Sequence, residues 1–157
     1  MQQRMKTHPL DPQRTEALLR QSPVASLATL NRDGTPYVTP VHFVWDGRAA
    51  YFHGLPAGQK LENLRANPAV SLMAYRMDRL LLDEAGRPCE TNTQYESVIL
   101  AGQASVVEDP GEKAAALALI VQKYTPQLAG RPLPEGMVAG TAVVKIQPQS
   151  LTGKYYG

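Results

Sequence analysis

The stretch that most constrains this chain is PYVTPVHFVW, residues 36–45, bracketed by NRDG at 31–34 and by Asp46–Gly47. Both brackets are turn chemistry, and an Asp-Gly pair between apolar runs is a hairpin signal. VASLATL (24–30) before the stretch and RAAYFH (48–53) after it also read as strands. Three strands joined by short turns predict an antiparallel meander. The middle strand is apolar on both sides. Tyr37, Val41, Phe43 and Trp45 share one face, and Val38 and Val44 share the other. An antiparallel strand of this kind needs cover twice over. A barrel interior supplies one cover. A helix, or a second copy of the chain, supplies the other.

Three further strands follow: AVSLMAYRM (69–77), YESVILAGQASVVED (95–109), with Gly102 marking a bulge or bend, and TAVVKIQPQSLTGK (141–154), interrupted at Pro148. Asp11–Pro12 opens a short helix, as N-cap and first helical residue. Asp109–Pro110 opens a longer one over 110–124. There Leu117, Ile120, Val121 and Tyr124 recur at helical spacing. Residues 131–136 read as a loop, and 78–94 as an exposed excursion whose conformation the sequence does not specify. Six strands and two or three helices predict a mainly β protein, a six-stranded, Greek-key-like antiparallel barrel with flanking helices, because closure removes sheet edges. We expect residues 1–10 to be loose and 11–157 to form a single domain.

A net charge of +2 over 157 residues, with no basic run, argues against a nucleic-acid partner. The single cysteine, Cys89, excludes an internal disulfide and a cysteine metal cluster, and we read it as structural. No His, Asp or Glu spacing suggests a metal site. The N-terminus lacks the apolar core of a signal peptide, and no apolar run has the ~20 residues a membrane span needs. These readings predict a soluble, cytoplasmic protein.

One residue stands against helix physics. In YFHGLPAGQKLENLRANP (51–68), a strand ends at His53, a tight loop spans Gly54–Gly58, and a short helix runs from about Gln59 to Ala66. Lys60 falls in the first turn, beside free N–H groups and the positive end of the dipole. A cation there costs about 0.3–1 kcal/mol. Lys60 is either a solvated surface lysine or a residue with an anion to meet.

The run LATLNRDGTPYVTPVHFVWDGRAAYFHGLPAGQKLENLRANPAVSLM, with YESVILAGQASVVEDPGEKAAALALIVQKYTP and KIQPQSLTGK, resembles the pyridoxamine 5′-phosphate oxidase-like flavoproteins, and most of all their nitroimidazole-resistance branch. The resemblance covers nearly all of Val24–Lys154. It implies an FMN-binding split barrel, a homodimer with flavin at the subunit interface, and a small-molecule substrate. It implies that Lys60 reaches the FMN phosphate, which a helix N-terminus also favours. It implies that Thr39, Pro40 and Val41 run beside the isoalloxazine ring. Pro40 cannot donate to a ladder, so broken pairing there fits, as does a plain edge-strand proline. His53 matches a histidine near flavin and substrate, able to orient a substrate or transfer a proton, or simply to pack. Tyr95 and Ser97 match contacts to the partner subunit's flavin, with strand packing as the plain alternative. Lys154 closes the LTGK motif, with a site role or a surface role equally open. His42 we read as structural.

The sequence also departs from true pyridoxamine phosphate oxidases, because it ends at LTGKYYG without their C-terminal arginine-bearing segment. Oxidation of pyridoxamine phosphate is therefore not expected. Two functions compete: an FMN-dependent oxidoreductase acting on nitroaromatic or other small oxidised substrates, and a flavin- or haem-binding carrier or sensor without turnover. Haem would require His53 or His42 as axial ligand. A flavin-free barrel is a third reading. Fold alone does not choose among them.

Overall fold

The computed structural model describes residues 2–157. In chain order the elements are α1 (Gln3–Thr7), α2 (Pro12–Gln21), β1 (Ala25–Leu30), β2 (Pro36–Val41), β3 (Phe43–Trp45), β4 (Ala50–Gly54), α3 (Gln59–Ala66), β5 (Ala69–Leu81), β6 (Asn92–Val106), α4 (Pro110–Tyr124), α5 (Glu135–Gly140) and β7 (Ala142–Tyr156). Every strand pairing is antiparallel, and the order across the sheet is β2-β1-β5-β6-β7-β4-β3. The two ends of that list, β2 and β3, are halves of the single stretch 36–45, broken only at His42. Its first half pairs with β1 and its second with β4. The sheet therefore closes into a six-stranded barrel, split where the chain passes from one neighbour to the other.

Local chemistry explains the elements. The Asp11 carboxylate accepts from the Arg14 N–H at 2.7 Å, and the Asp109 carboxylate accepts from the Glu112 N–H at 2.7 Å, so both prolines start helices already capped. At the β3–β4 hairpin, Asp46 accepts from the Arg48 and Ala49 N–H groups, each at 2.7 Å, while Gly47 takes φ +102°.

The two covers required by the stretch 36–45 are found in part. Phe43, Trp45 and Val41 point into the barrel with Leu27, Leu72, Leu100 and Ile146. Val44 is covered by α4, packing with Tyr51, Val143, Ala116 and Ile120. Val38 has no such cover and is 61% exposed.

Of residues 1–10, expected to be loose, Met1 lies outside the described residues, and the others form α1 and a docked segment. Met5 and Leu10 are buried, and the Leu10 N–H donates to the Gly153 carbonyl at 3.1 Å. A Cβ on Gly153 would lie 2.8 Å from Leu10 Cβ, which gives the glycine of the LTGK motif a packing reason. Residues 78–94 are a hairpin arm: β5 and β6 run on together to Leu81↔Asn92 and close through an exposed loop with one 3-10 turn, Pro88–Glu90.

Pro148 does not end β7. The strand continues across a bulge, where the register shifts from Ala101↔Ser150 to Gly102↔Pro148. The proline thus sits where ladder pairing is already irregular. A Cβ on Gly102 would meet the Gln147 carbonyl oxygen at 2.2 Å, and that atom is backbone. Gly102→Ala is expected to destabilise the fold by about 1–3 kcal/mol, since one of two paired strands must move. Chemical denaturation reads this directly; a variant as stable as wild type would show that β7 yields freely at the bulge.

Candidate functional site

The split creates an open strand edge. β2 pairs with β1 on one side only, and β4 loses its β3 neighbour beyond Phe52. A ladder accepts proline where its nitrogen faces away from the neighbour. With Pro36 and Pro40 both opposite β1, Val38 between them turns its own N–H and C=O toward the open side. Thr39 points inward, half-buried; Pro40 is exposed and Val41 buried.

Helix α3 closes one end of this opening. Leu61 and Leu64 bury into the barrel core. Asn63, 1% exposed, donates to Thr29 Oγ1 at 3.0 Å and to Asn31 Oδ1 at 2.9 Å, which fastens the helix to β1 and its turn. The N-cap is Gly58 at φ +126°, a conformation that side chains resist. No side chain caps the helix, so its first N–H groups remain free for a ligand or water.

Lys60 is the second residue of α3, as the sequence predicts. It is half-buried, and burial lowers its amino group below the ordinary lysine range. Among the described residues it has no acidic partner; its ammonium lies 5.1 Å from the centre of the Phe52 ring. His53 faces outward at the end of β4, and His42 stands opposite it in the continuing register of β3 and β4. The His53 imidazole is held below its ordinary value by burial first, then by His42 and Lys60. These three groups therefore share one neighbourhood, with His53 neutral at pH 7. His42, read from the sequence as structural and, with His53, as a possible haem ligand, joins them.

The remaining candidates lie elsewhere. Tyr95, Ser97 and Lys154 are neighbours on the outward face of β6 and β7: Ser97 pairs with Lys154, and the Lys154 ammonium sits 5.6 Å from the centre of the Tyr95 ring. Tyr75, paired with Ser97 across β5, completes the group, with its ring 5.8 Å from that of Tyr95. Ser97 Oγ is enclosed and has no hydrogen-bond partner. An orphaned buried hydroxyl is uncommon. On β7 this group lies opposite Lys154, whereas His53 lies opposite Val143, eleven residues away (154 − 143). That is about 36 Å of extended chain. The Lys60 group and the Ser97 group of one chain therefore stand toward opposite ends of β7.

Sequence reading missed Tyr75, Lys123 and the hydroxyl of Tyr124. Tyr75 was detectable: Met73, Tyr75 and Met77 alternate along β5 and are all exposed. At the end of α4, Tyr124 gave only a helical apolar signal and Lys123 gave none.

A cavity of about 700 Å³ lies between α4 and the 131–139 segment and shares no lining residue with either group. Cys89 is a free, exposed thiol on the hairpin arm. Among the described residues, no three His, Cys, Asp or Glu side chains gather to hold a metal. No described helix is long and apolar enough to cross a membrane.

A closed antiparallel barrel, split beside a helix N-terminus that carries an unpaired lysine, defines the split-barrel class. The chain belongs to the pyridoxamine 5′-phosphate oxidase family, whose sequence model matches residues 11–155. It is similar to a candidate 5-nitroimidazole antibiotic resistance protein from Bacteroides thetaiotaomicron, at 27% identity over 94% of this chain and 86% of that one, with a TM-score of 0.82. It is also similar to the flavocytochrome Anf3 from Azotobacter vinelandii, at 26% identity over 94% and 68%, with a TM-score of 0.80. An FAD- and haem-binding protein from Mycobacterium smegmatis shares the fold at 21% identity over 92% and 71%, with a TM-score of 0.82. No curated protein matches the chain.

Proposed function

We propose that this protein binds FMN in the split and acts as an FMN-dependent oxidoreductase on small oxidised compounds, nitroaromatics among them. The observation that carries the reading is Lys60, half-buried and without an anion beside the uncapped N-terminus of α3. A phosphate there would meet free N–H groups, the helix dipole and an ammonium together. The open edge of β2, residues 39–41, would flank the ring system. Bound flavin supplies the electron transfer, and the protein supplies binding, orientation and exclusion of water. The similarity to a candidate nitroimidazole-resistance protein supports the substrate class.

The site is shared between two copies. Tyr95, Ser97 and Lys154, toward the other end of β7 from the residue opposite His53, would serve the flavin held by Lys60 of the partner subunit. Val38, Met73, Tyr75 and Met77 leave an exposed apolar band on the outward faces of β2 and β5, suited to cover by a second barrel. Ser97 Oγ would gain its missing partner once the side chains around it move.

The purified protein's visible spectrum and its mass in solution test this together. We expect a dimer and a flavin spectrum with bands near roughly 370 and 450 nm. A sharp Soret band would replace FMN by haem, with His42 or His53 as ligand. A stable monomer would remove the shared site.

A further inference from the structure

We infer that Lys123 and Tyr124, at the C-terminal end of α4, are positioning residues for the split: they replace a missing strand neighbour at Phe43 and so hold His42 beside His53. The inference rests on the proposed site for its functional meaning, but its geometry is independent of any ligand. At Phe43 the stretch 36–45 has left β1 and is paired only with β4. Its other edge would carry an unpaired N–H and C=O. Two side chains from some 80 residues later supply the bonds a strand would have made. The Phe43 N–H donates to Tyr124 Oη at 2.9 Å. Lys123 Nζ donates to the Phe43 carbonyl at 2.9 Å and reaches the Leu19 carbonyl at 3.5 Å.

The tyrosine hydroxyl lies 2.7 Å from the Pro23 carbonyl and 2.8 Å from that of Phe43. It has one proton and serves one of them at a time. Because Lys123 already serves Phe43, the consistent arrangement has Tyr124 donating to Pro23, the residue that leads into β1. One hydroxyl thus ties the approach to β1 to the start of β3, the two sides of the split. The Tyr124 ring also lies 5.0 Å from that of His42. The far end of α4 is fixed to the barrel as well: Tyr51 Oη donates to the Glu112 carboxylate at 2.9 Å, and Lys145 Nζ to the same oxygen at 2.8 Å. The helix is therefore a rigid strut, with its C-terminus on the split.

The test uses Tyr124→Phe, which keeps the ring, and Lys123→Met, which keeps the stem, with Lys123→Arg as the conservative control. The chain has only three histidines, and His8 packs on Tyr155 and Tyr156, away from the split. It serves as an internal reference. In the folded variants we expect the ring-proton resonances of His42 and His53 to move while those of His8 stay. In Tyr124→Phe, which removes the acceptor of the Phe43 N–H, exchange of that amide should accelerate at least about tenfold, and in both variants FMN should bind about tenfold more weakly. Lys123→Arg should restore the resonances and the affinity. A folded variant with unchanged His42 and His53 resonances and unchanged Phe43 exchange overturns the positioning role, even if its melting temperature falls. Unchanged FMN affinity in both variants overturns its link to the site. Should Tyr124→Phe fail to fold, Lys123→Met decides by the resonances and the affinity. A wild type without FMN binding would refute the proposed function, and the resonance and exchange readouts would still decide the positioning.

Discussion

His53→Ala is expected to slow turnover of a nitroaromatic by about 10²–10⁴-fold while leaving FMN bound, which is the contribution of a placed proton-transfer group. His53 faces outward beside His42 and Lys60, and burial together with these two neighbours keeps its imidazole below its ordinary value of 6.5. It is therefore neutral at pH 7, and because reduction of a nitro group takes up protons, its role is to give a proton to the substrate. The pH dependence follows in sign. Turnover should rise as pH drops through the lowered value in the folded protein, where the imidazolium forms. Folding stability should instead fall as pH drops, because the unfolded chain binds the proton more readily. Stopped-flow reoxidation of the loaded protein against pH, in wild type and variant, checks both the rate and the profile. A variant that loses flavin but reoxidises normally when resaturated would make His53 a binding residue.

Lys60→Ala is expected to weaken FMN binding by about ten- to a hundredfold, the equivalent of a charge-assisted contact of ~1.5–3 kcal/mol. The lysine should bring little to the protein without its ligand. Its amino group is lowered by burial, and it lies in the first turn of α3, where a cation is disfavoured. Its side chain is half-buried with the ammonium near the Phe52 ring, so Lys60→Met, which fills most of the same space, is the cleaner variant for stability. That variant should be at least as stable as wild type without flavin, and less stabilised when FMN is added. A large loss of stability in the absence of FMN would mean that Lys60 serves the fold.

Much of this was legible because it was written locally. Turn residues at 31–34 and 46–47, the caps Asp11 and Asp109, and a lysine just past Gly58 are all short-range signals. Each appears where expected. The two-faced stretch 36–45 also announced its need for cover, and α4 meets half of it at Val44. The helices that escaped notice are weak by propensity. α1 has five residues and no capping side chain; α5 is EGMVAG, with two glycines in six residues. Pro148 was read as an interruption because its tolerance depends on Gly102, some 46 residues earlier and adjacent only in the sheet. The roles of Lys123 and Tyr124 were invisible for the same reason. Their partners, Leu19, Pro23 and Phe43, lie roughly 80 to 100 residues away, and no local pattern marks a side chain that stands in for a strand.

The separation of the Ser97 group from Lys60 is likewise a property of the barrel. Both sets read as cofactor-binding residues along the chain. Only the pairing of β4, β6 and β7 shows that they stand toward opposite ends of β7.

The most direct test of the account is a titration of flavin-free wild type and Lys60→Ala with FMN and with riboflavin, followed by quenching of flavin fluorescence. The two ligands differ only in the phosphate. Wild type is expected to bind FMN at one per chain and to prefer it to riboflavin by about ten- to a hundredfold, and Lys60→Ala to lose most of that preference while binding riboflavin much as wild type does. An FMN-to-riboflavin ratio that is the same in both proteins would contradict it.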